Sequence, residues 1–593
     1  MSAYFYALTE WVFFVTKPSS LSVLSTSESL KVLMVTGGEV ATILLLCLFL
    51  LAIPGWLIKD QPWHPRLVNL RTIPAAAILS ITVLILIDNF TYTVFKFGVI
   101  STEGFGRFLY AVGFGVIFWQ MMRFTQRTAR RSRKIASFLS WSLLAVSLTG
   151  FLSIRFSNDS SIGRIEFENS ASKSYPNIIV LGSDGLSASY LSAYGSTQQT
   201  TPFLNELIKT SLVAENAFPN ASSTTASTTS VLTGKEPIVD KVFRYPDILA
   251  GESSFQHMPG ILKQQGYQTV EIGTPYYVDA LRLNLLDGFE TVNNQSLDRR
   301  SFDTLRRVLG NSPSTYFIQT IMDRAIERLL HIFFIREMQN PLAEVYDPNA
   351  RITDDQRVEQ IIDLLDKESD RPLFVFAHLM DTHGPGFSFD KKVFSSVSDK
   401  VSWDSNRYRD AILNFDGHVK KVYDYLERTG KLDNTILVIY TDHGFQYTTY
   451  QRIPLIIHFP KELYTGTIKN NVEIIDIPVT LLDYLSIPSP DWMTGMSLLQ
   501  VEPPQDRKIF STTTGSPEKS SAPFYQIQSI QMLVCQKWYR LNVRDNTWRN
   551  GTVINHTAKC DESTLPTDKE IREELLKYLQ EHGYKTDSLG DGS

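Results

Sequence analysis

Thr435-Ile-Leu-Val-Ile-Tyr-Thr-Asp-His-Gly444 is the stretch that decides how this chain is read. Its β-branched apolar run suits a strand buried on both faces, and it stops on a carboxylate beside an imidazole. A second run, Asn177-Ile-Ile-Val-Leu-Gly-Ser-Asp-Gly185, stops the same way on Asp184. Between them lies a hydroxyl-rich segment, Ser222-Ser-Thr-Thr-Ala-Ser-Thr-Thr-Ser-Val-Leu-Thr-Gly234, which reads as the opening of a helix. Ligands of open α/β sheets sit beyond the carboxyl ends of the strands. Asp184, Asp442 and His443, with a hydroxyl at a helix start, are therefore the parts of a metal-assisted esterase or transferase site.

Outward from these motifs, apolar strand patterns at 177–181, 269–272, 373–377, 435–440 and 454–458 alternate with helical patterns at 202–211, 354–368 and 407–428. That alternation predicts an α/β sandwich with a mainly parallel central sheet. In the last helix Tyr408, Ile412, Phe415, Val419, Val422 and Leu426 form a core-facing stripe, and Asp416 beside it reads as structural. Past residue 505, strands at 527–534 and 538–543 and an amphipathic helix at 568–581 predict a small C-terminal subdomain.

The 593 residues, 43% hydrophobic and 12% aromatic, suffice for a large core and more than one domain. A net charge of −5 is small for this length and gives no reason to expect a nucleic-acid partner. Of three cysteines, Cys47 lies in an apolar run. Cys535 and Cys560 fit either a disulfide in an oxidising compartment or two buried thiols.

Residues 1–157 do not read as a soluble domain. Apolar stretches at 40–58, 72–94, 108–122 and 136–154 approach the ~20 residues that a bilayer span needs. Several long spans in succession without a small-residue cleavage site exclude a cleaved signal peptide. The loop Arg123-Phe-Thr-Gln-Arg-Thr-Ala-Arg-Arg-Ser-Arg-Lys134 is densely basic, and Lys59, Arg66 and Arg71 mark an earlier loop. The positive-inside rule assigns both to the cytoplasm, which puts everything after the last span outside, on a multi-pass protein of the plasma (inner) membrane. Residues 3–15 form either a fifth span or an amphipathic surface helix, and parity favours five spans over four. Glu39 and Asp88 fall near outer ends of spans, where an interfacial role is expected. A polar linker (158–175) leads to the catalytic domain (176–505) and the C-terminal subdomain (506–593). Within 301–342 an amphipathic helix carries Asp323, Arg324, Glu327 and Arg328. It is expected to pack as an insertion on the catalytic domain, or alternatively to rest on the membrane surface near a lipid substrate.

From Pro176 to about Pro460 the chain resembles the sulfatase and alkaline-phosphatase superfamily. The resemblance rests on 177–185, Thr201-Pro-Phe-Leu204, Val231-Leu-Thr-Gly-Lys235, His378-Leu-Met-Asp-Thr-His-Gly-Pro385, Asp433-Asn-Thr435, Thr441-Asp-His-Gly444 and Arg452-Ile-Pro-Leu-Ile456, in the family's order. It implies one divalent metal ion, Zn²⁺ or Mn²⁺ by preference and Mg²⁺ after them, held by Asp184, Asp442, His443 and the nucleophile's oxygen. Matching the Leu-Thr-Gly ending places the nucleophile at Thr224, with Ser223 and Thr225 selected instead by a one-residue slip. His383 resembles a histidine that contacts the phosphoryl group or moves a proton. Asp381 could serve a second metal. Arg452 either binds substrate or caps its strand.

The departures matter equally. Sulfatases carry Cys or Ser followed by x-Pro-x-Arg, the precursor of formylglycine, whereas this chain has Thr224-Thr-Ala-Ser-Thr228. Threonine here looks like the membrane-anchored lipoteichoic-acid synthases and lipid A phosphoethanolamine transferases. Those use a further histidine soon after Asp-His-Gly, and this chain has none before His458, which reads as lying within a strand. The expected activity is transfer of phosphoethanolamine or phosphoglycerol from a phospholipid donor to an envelope glycan or glycolipid acceptor, through a phospho-threonine. The rivals are a phosphodiesterase or sulfatase-type hydrolase, and a catalytically silent domain that binds lipid and regulates a partner.

Overall fold

A computed structural model describes residues 1–16, 21, 26–57, 71–95, 98–99, 102, 104–131, 133–156, 175–244, 247–249, 251–275, 277–293, 295–296, 313–334, 352–367, 369–396, 401–500, 502–515, 527–558, 560–561 and 565–589. The chain divides into two compact units, Met1–Arg164 with Asp298–Pro341, and Ile165–Leu297 with Leu342–Ser593.

The second unit is built on a nine-stranded sheet in the order β5-β4-β3-β6-β1-β7-β8-β2-β9. At its centre β1 (Asn177–Ser183) runs parallel to both β6 (Leu373–Leu379) and β7 (Thr435–Thr441). These strands read as continuous apolar runs because both faces of the sheet are covered. Ile178, Val180, Phe374, Phe376, Ile436 and Val438 enter one core with the helix Thr224–Thr233. Ile179, Leu181, Val375, Leu437 and Ile439 enter another with the helix Ser405–Arg428. The expected stripe Tyr408, Ile412, Phe415, Val419, Val422 and Leu426 is buried there. Asp416 is structural, as read from the sequence: its carboxylate accepts from the amides of Phe203 (2.9 Å) and Leu204 (2.8 Å).

Outer strands complete the sheet. β3 (Gln268–Ile272) joins β6 in parallel, and β8 (Ile453–His458) runs antiparallel to β7 and to β2 (Leu212–Phe218). β9 (Gly466–Glu473) pairs in parallel with β2, while β4 (Thr291–Val292) and β5 (Gln295–Ser296) close the far edge. His458 lies in β8 as expected, its Nδ1 3.1 Å from the Thr210 carbonyl.

The C-terminal part folds as the antiparallel sheet β10 (Lys508–Thr514), β11 (Ile527–Val534), β12 (Lys537–Asn542) and β13 (Thr547–Thr552), covered by the helix Asp568–Glu581. Cys535 and Cys560 are joined in a disulfide, with Cα atoms 5.7 Å apart. Of the two readings left open by the sequence, the structure takes this one.

Among the described residues of the first unit, three helices are long and apolar enough to cross a membrane, at Thr26–Leu51, Ile73–Thr91 and Gly104–Thr128. A shorter apolar helix spans Phe138–Thr149, and the N-terminal helix Ser2–Val15 has 14 residues. The helix Pro313–Phe334 belongs to this unit and not to the catalytic one, which corrects the expected packing of the insertion. The reason is its buried face: Phe317, Ile318, Ile321 and Ala325 pack with Ala3, Tyr6, Val32, Val40 and Ile85.

One buried histidine gives the second unit a pH-dependent stability. His257 caps the helix Met258–Gln264; Nδ1 accepts from the Gly260 amide (3.0 Å) while Nε2 lies 3.0 Å from the Leu286 carbonyl. Accepting at one nitrogen requires the neutral ring, and burial pushes its pKa from 6.5 down to about 4. The unfolded chain therefore binds a proton that the folded one refuses, and stability is lost as pH falls from about 6.5 to about 4. The full loss is about 3 kcal/mol. Chemical denaturation of the full chain between pH 7 and pH 4 should show this slope, and His257→Asn should flatten it.

Candidate active site

Register brings the site together before any side-chain contact is considered. Gly182 of β1 lies level with His378 of β6, and Ser183 lies level with Thr441 of β7. One residue further on, Asp184 and Asp442 leave adjacent parallel strands at the same height. The turn is tight: Gly185 has φ of 66°, and a Cβ there would come within 3.3 Å of the His443 ring. The Gly185 amide donates to Asp442 Oδ1 at 2.9 Å, tying one strand end to the other.

Asp184, Asp442 and His443 are buried, and one ligand atom from each lies within 4.8 Å of the others. His443 Nε2 is 3.4 Å from Asp442 Oδ2 and 3.8 Å from Asp184 Oδ1. Its Nδ1 sits 3.0 Å from the Gly444 carbonyl, which can only accept. The proton is therefore on Nδ1, and the Nε2 lone pair faces the two acids. Asp442 Oδ2 and His443 Nε2 are buried without a hydrogen-bond partner. Leaving such groups unmade costs about 1–3 kcal/mol each, and a shared divalent cation would remove that cost. The donor set, two carboxylates and an imidazole, fits a divalent ion.

The helix Thr224–Thr233 presents its first turn to this cluster, and the three candidate hydroxyls part company there. Ser223 is the N-cap, accepting from the Ala226 amide at 3.4 Å and donating to the Phe243 carbonyl at 2.5 Å. Thr225 donates to the Tyr277 carbonyl at 3.3 Å. Thr224 alone meets the cluster, its Oγ1 donating to Asp184 Oδ2 at 3.0 Å. Burial opposes ionisation of Asp184, but positive charge from the neighbouring imidazoles, His383 first and His378 after it, outweighs it and holds its carboxyl below the usual range.

Two residues at the site are not assigned by the sequence. His378, which reads as sitting in the strand end, points at the acids: Nε2 is 3.7 Å from Asp184 Oδ2 and 4.0 Å from Asp442 Oδ2. Both of its ring nitrogens are buried and without a hydrogen bond. Burial disfavours its charged form, yet the two carboxylates beside it push its pKa up. The signal that could have found it is its level with Gly182, two residues before Asp184 on the same face of β1. Tyr447 sets its ring 4.9 Å from that of His443, tilted by 52°, and donates its hydroxyl to the Gly384 carbonyl at 3.2 Å. Gln446 and Tyr447 both have positive φ, 57° and 60°. Two successive non-glycine residues in that region store strain of the kind found at functional sites. Burial, then Asp184, push the Tyr447 hydroxyl up to about 12, so it remains a donor.

His383 follows β6 on a loop held from several sides. Thr382 Oγ1 donates to the Asp184 carbonyl (2.5 Å) and pairs with Ser183 Oγ (2.7 Å). Asp354 Oδ2 accepts from the Met380 and Asp381 amides at 2.7 and 2.6 Å. The His383 ring lies 5.4 Å from Tyr277 and 6.4 Å from Tyr447, between two aromatic walls. Asp381 does not join the metal cluster: its Oδ2 accepts from Asn414 at 2.6 Å and lies 3.1 Å from His418 Nε2. Arg452 is corrected too. Its Nη1 donates to the Glu215 carbonyl at 2.9 Å, and none of its described contacts reaches the cluster. It is buried against β2, the strand-capping role of the two considered.

The sulfatase family model matches residues 176–487. An N-acetylglucosamine-6-O-sulfatase of Bacteroides thetaiotaomicron is 23% identical over 403 residues, covering 55% of this chain and 70% of its own. The human N-acetylgalactosamine-6-sulfatase is 21% identical over 373 residues, covering 56% and 64%. A solved phosphonate monoester hydrolase of Agrobacterium radiobacter superposes with a TM-score of 0.47 at 16% identity, covering 70% and 97%. At that score the likeness says nothing about chemistry.

Metal content of the purified full chain tests the assignment of the cluster. Asp442→Ala should weaken divalent-ion binding by more than about 100-fold, beyond the effect of losing an outer-shell partner. Arg452→Ala should leave the stoichiometry unchanged.

Proposed function

This chain belongs to the sulfatase family, and from that premise we propose that it is a membrane-anchored phosphotransferase. It moves a phospho-alcohol headgroup, phosphoethanolamine or phosphoglycerol, from a phospholipid to an envelope glycan or glycolipid. The observation that carries this reading is the Thr224 hydroxyl, 3.0 Å from Asp184, while Ser223 and Thr225 are engaged elsewhere. Sulfate-ester cleavage in the family needs formylglycine from Cys or Ser, and Thr224 cannot become that aldehyde. A threonine alkoxide can still attack phosphorus and form an ester.

Asp184, Asp442, His443 and the Thr224 oxygen would hold the divalent ion, which would lower the hydroxyl's pKa and screen the phosphoryl charge. Thr224 enters as the alkoxide, its proton released to solvent. Its oxygen bonds to phosphorus, the bond from phosphorus to the diacylglycerol oxygen breaks, and His383 protonates that leaving oxygen. In the second displacement the acceptor hydroxyl gives its proton to His383 and bonds to phosphorus. The Thr224–phosphorus bond then breaks, and both residues return to their starting states. The positive end of the Thr224–Thr233 helix dipole favours the developing negative charge.

A lipid donor is supported by the three apolar helices, which would confine enzyme and donor to one surface. An extracytoplasmic site is supported by the Cys535–Cys560 disulfide, which suits an oxidising compartment. A hydrolase reading draws on the sulfatase names of the relatives.

The two separate by product. The full chain in nanodiscs, given headgroup-labelled phosphatidylethanolamine or phosphatidylglycerol with a glycolipid acceptor, should release diacylglycerol and label the acceptor. Thr224→Ala should cut that release by more than about 1,000-fold, as loss of a covalent nucleophile does. Label appearing only as the free phospho-alcohol would favour the hydrolase, and release of inorganic sulfate from an aryl sulfate would contradict the proposal.

A further inference from the structure

One face of the C-terminal sheet packs on the helix Asp568–Glu581, through Met532, Tyr539 and Leu541. The other face is different in character. Residues directly opposite in an antiparallel pair share a face, so Ser511, Gln531, Arg540 and Arg549 form one row across β10–β13. The neighbouring row, Ile509, Leu533 and Trp538, packs on Phe218 of β2 and fastens this face to the catalytic core.

The row carries charge that nothing balances. Arg540 and Arg549 face each other across β12 and β13, and like charges so placed destabilise a sheet. Arg540 donates only to uncharged oxygens, Gln531 Oε1 (2.8 Å from Nη2, 3.3 Å from Nε) and Thr449 Oγ1 (3.4 Å). Its Nη1 has no partner among the described residues. Arg549 is exposed, and its guanidinium likewise meets no carboxylate among them. Asp545, in the turn between the two strands, accepts from Asn542 at 3.3 Å instead. Arg540 is half-buried beside the rings of Tyr450 (5.1 Å) and Trp538 (5.6 Å), which stack on each other at 4.8 Å. Burial lowers its pKa, and Arg549 adds to the effect. A cation withdrawn from water without a counter-charge is costly, and an anion shared by the two guanidiniums would remove that cost.

Two anchors set this row beside the candidate active site. β10 is bonded to the segment before Thr224: the Ser222 amide donates to the Thr512 carbonyl (3.0 Å), and Ser222 Oγ accepts from the Thr514 amide (3.2 Å). Thr449, which Arg540 reaches, is two residues after Tyr447, whose ring lies against His443. Two residues of chain span at most about 7 Å.

We propose that Arg540 and Arg549 form an anion-binding subsite for the acceptor, whose sugar carries a phosphate or carboxylate of its own. The assignment to the acceptor rests on the phosphotransferase reading. Phosphatidylethanolamine and phosphatidylglycerol each bring one phosphate, which the Thr224 cluster takes, so a separate anion belongs to the other substrate.

Binding of glucose 6-phosphate tests this on the full chain in phosphatidylcholine nanodiscs, with Asp442→Ala and metal-free buffer so that the cluster does not take the probe. The proposal expects glucose 6-phosphate to bind and glucose not to, with affinity falling about tenfold when Arg540→Gln and Arg549→Gln are combined. Arg549→Gln alone, at an exposed position, should weaken binding about threefold with the melting temperature unchanged, which separates loss of the site from loss of the fold. Equal affinity in the double variant, or no binding to the parent, would overturn the proposal. Displacement of the probe by dihexanoyl phosphatidylglycerol, with higher affinity than the probe's own, would overturn the acceptor assignment in favour of a lipid headgroup. The measurement needs no turnover, so it can fail while diacylglycerol release succeeds, and succeed while release fails.

Discussion

Asp184 and Asp442 are two acids placed shoulder to shoulder at the ends of adjacent parallel strands, with almost no exposed surface. Like charges so close cannot both ionise in a dry corner unless something positive joins them. Most of the second unit can be understood as the means of keeping that pair together. The register of β1 between β6 and β7 sets the height, Gly185 lets the chain turn without striking His443, and the Gly185 amide fixes Asp442. The Thr224 hydroxyl then approaches from the first turn of its helix, whose Val231 and Leu232 lock it into the same core as the strands.

Rigidity at the site comes from ordinary packing on one side and from backbone strain on the other. The strands are buried on both faces and cannot shift without exposing an apolar core. The loop after β7 is different, because Gln446 and Tyr447 sit in left-handed conformations. Tyr447 thereby reaches both His443 and the carbonyl of Gly384, next to His383, and links the strand end that carries Asp442 and His443 to the loop that carries His383. The sequence has no histidine soon after Asp-His-Gly, and a tyrosine stands on that stretch.

The strand ends are legible in the sequence because a β-branched apolar run that stops abruptly on Asp or His sets a polar group just beyond a buried strand, where sheets bind ligands. The parallel sheet, its covering helices and the role of Asp416 follow from periodicity. The choice among Ser223, Thr224 and Thr225 is not legible from residue type, since three adjacent hydroxyls differ only in which way the first helical turn points them. His378 is the weaker histidine candidate in the sequence, because a histidine ending a strand looks alike whether it faces core or site, and only pairing with Gly182 decides. Arg452 is drawn towards the site by its nearness in sequence to Asp-His-Gly, whereas its guanidinium turns to β2. The insertion helix is legible as amphipathic, but its partner is not, because the apolar face that it covers comes from helices hundreds of residues earlier.

The most direct test is peptide mass spectrometry of the full chain after incubation with mixed phospholipids and a divalent metal, with His383→Ala alongside to slow the second displacement. The account predicts a phospho-alcohol adduct on Thr224, absent from Ser223 and Thr225, whose mass names the donor headgroup. An adduct on either neighbour, or none on wild type and variant while metal is bound, would contradict it.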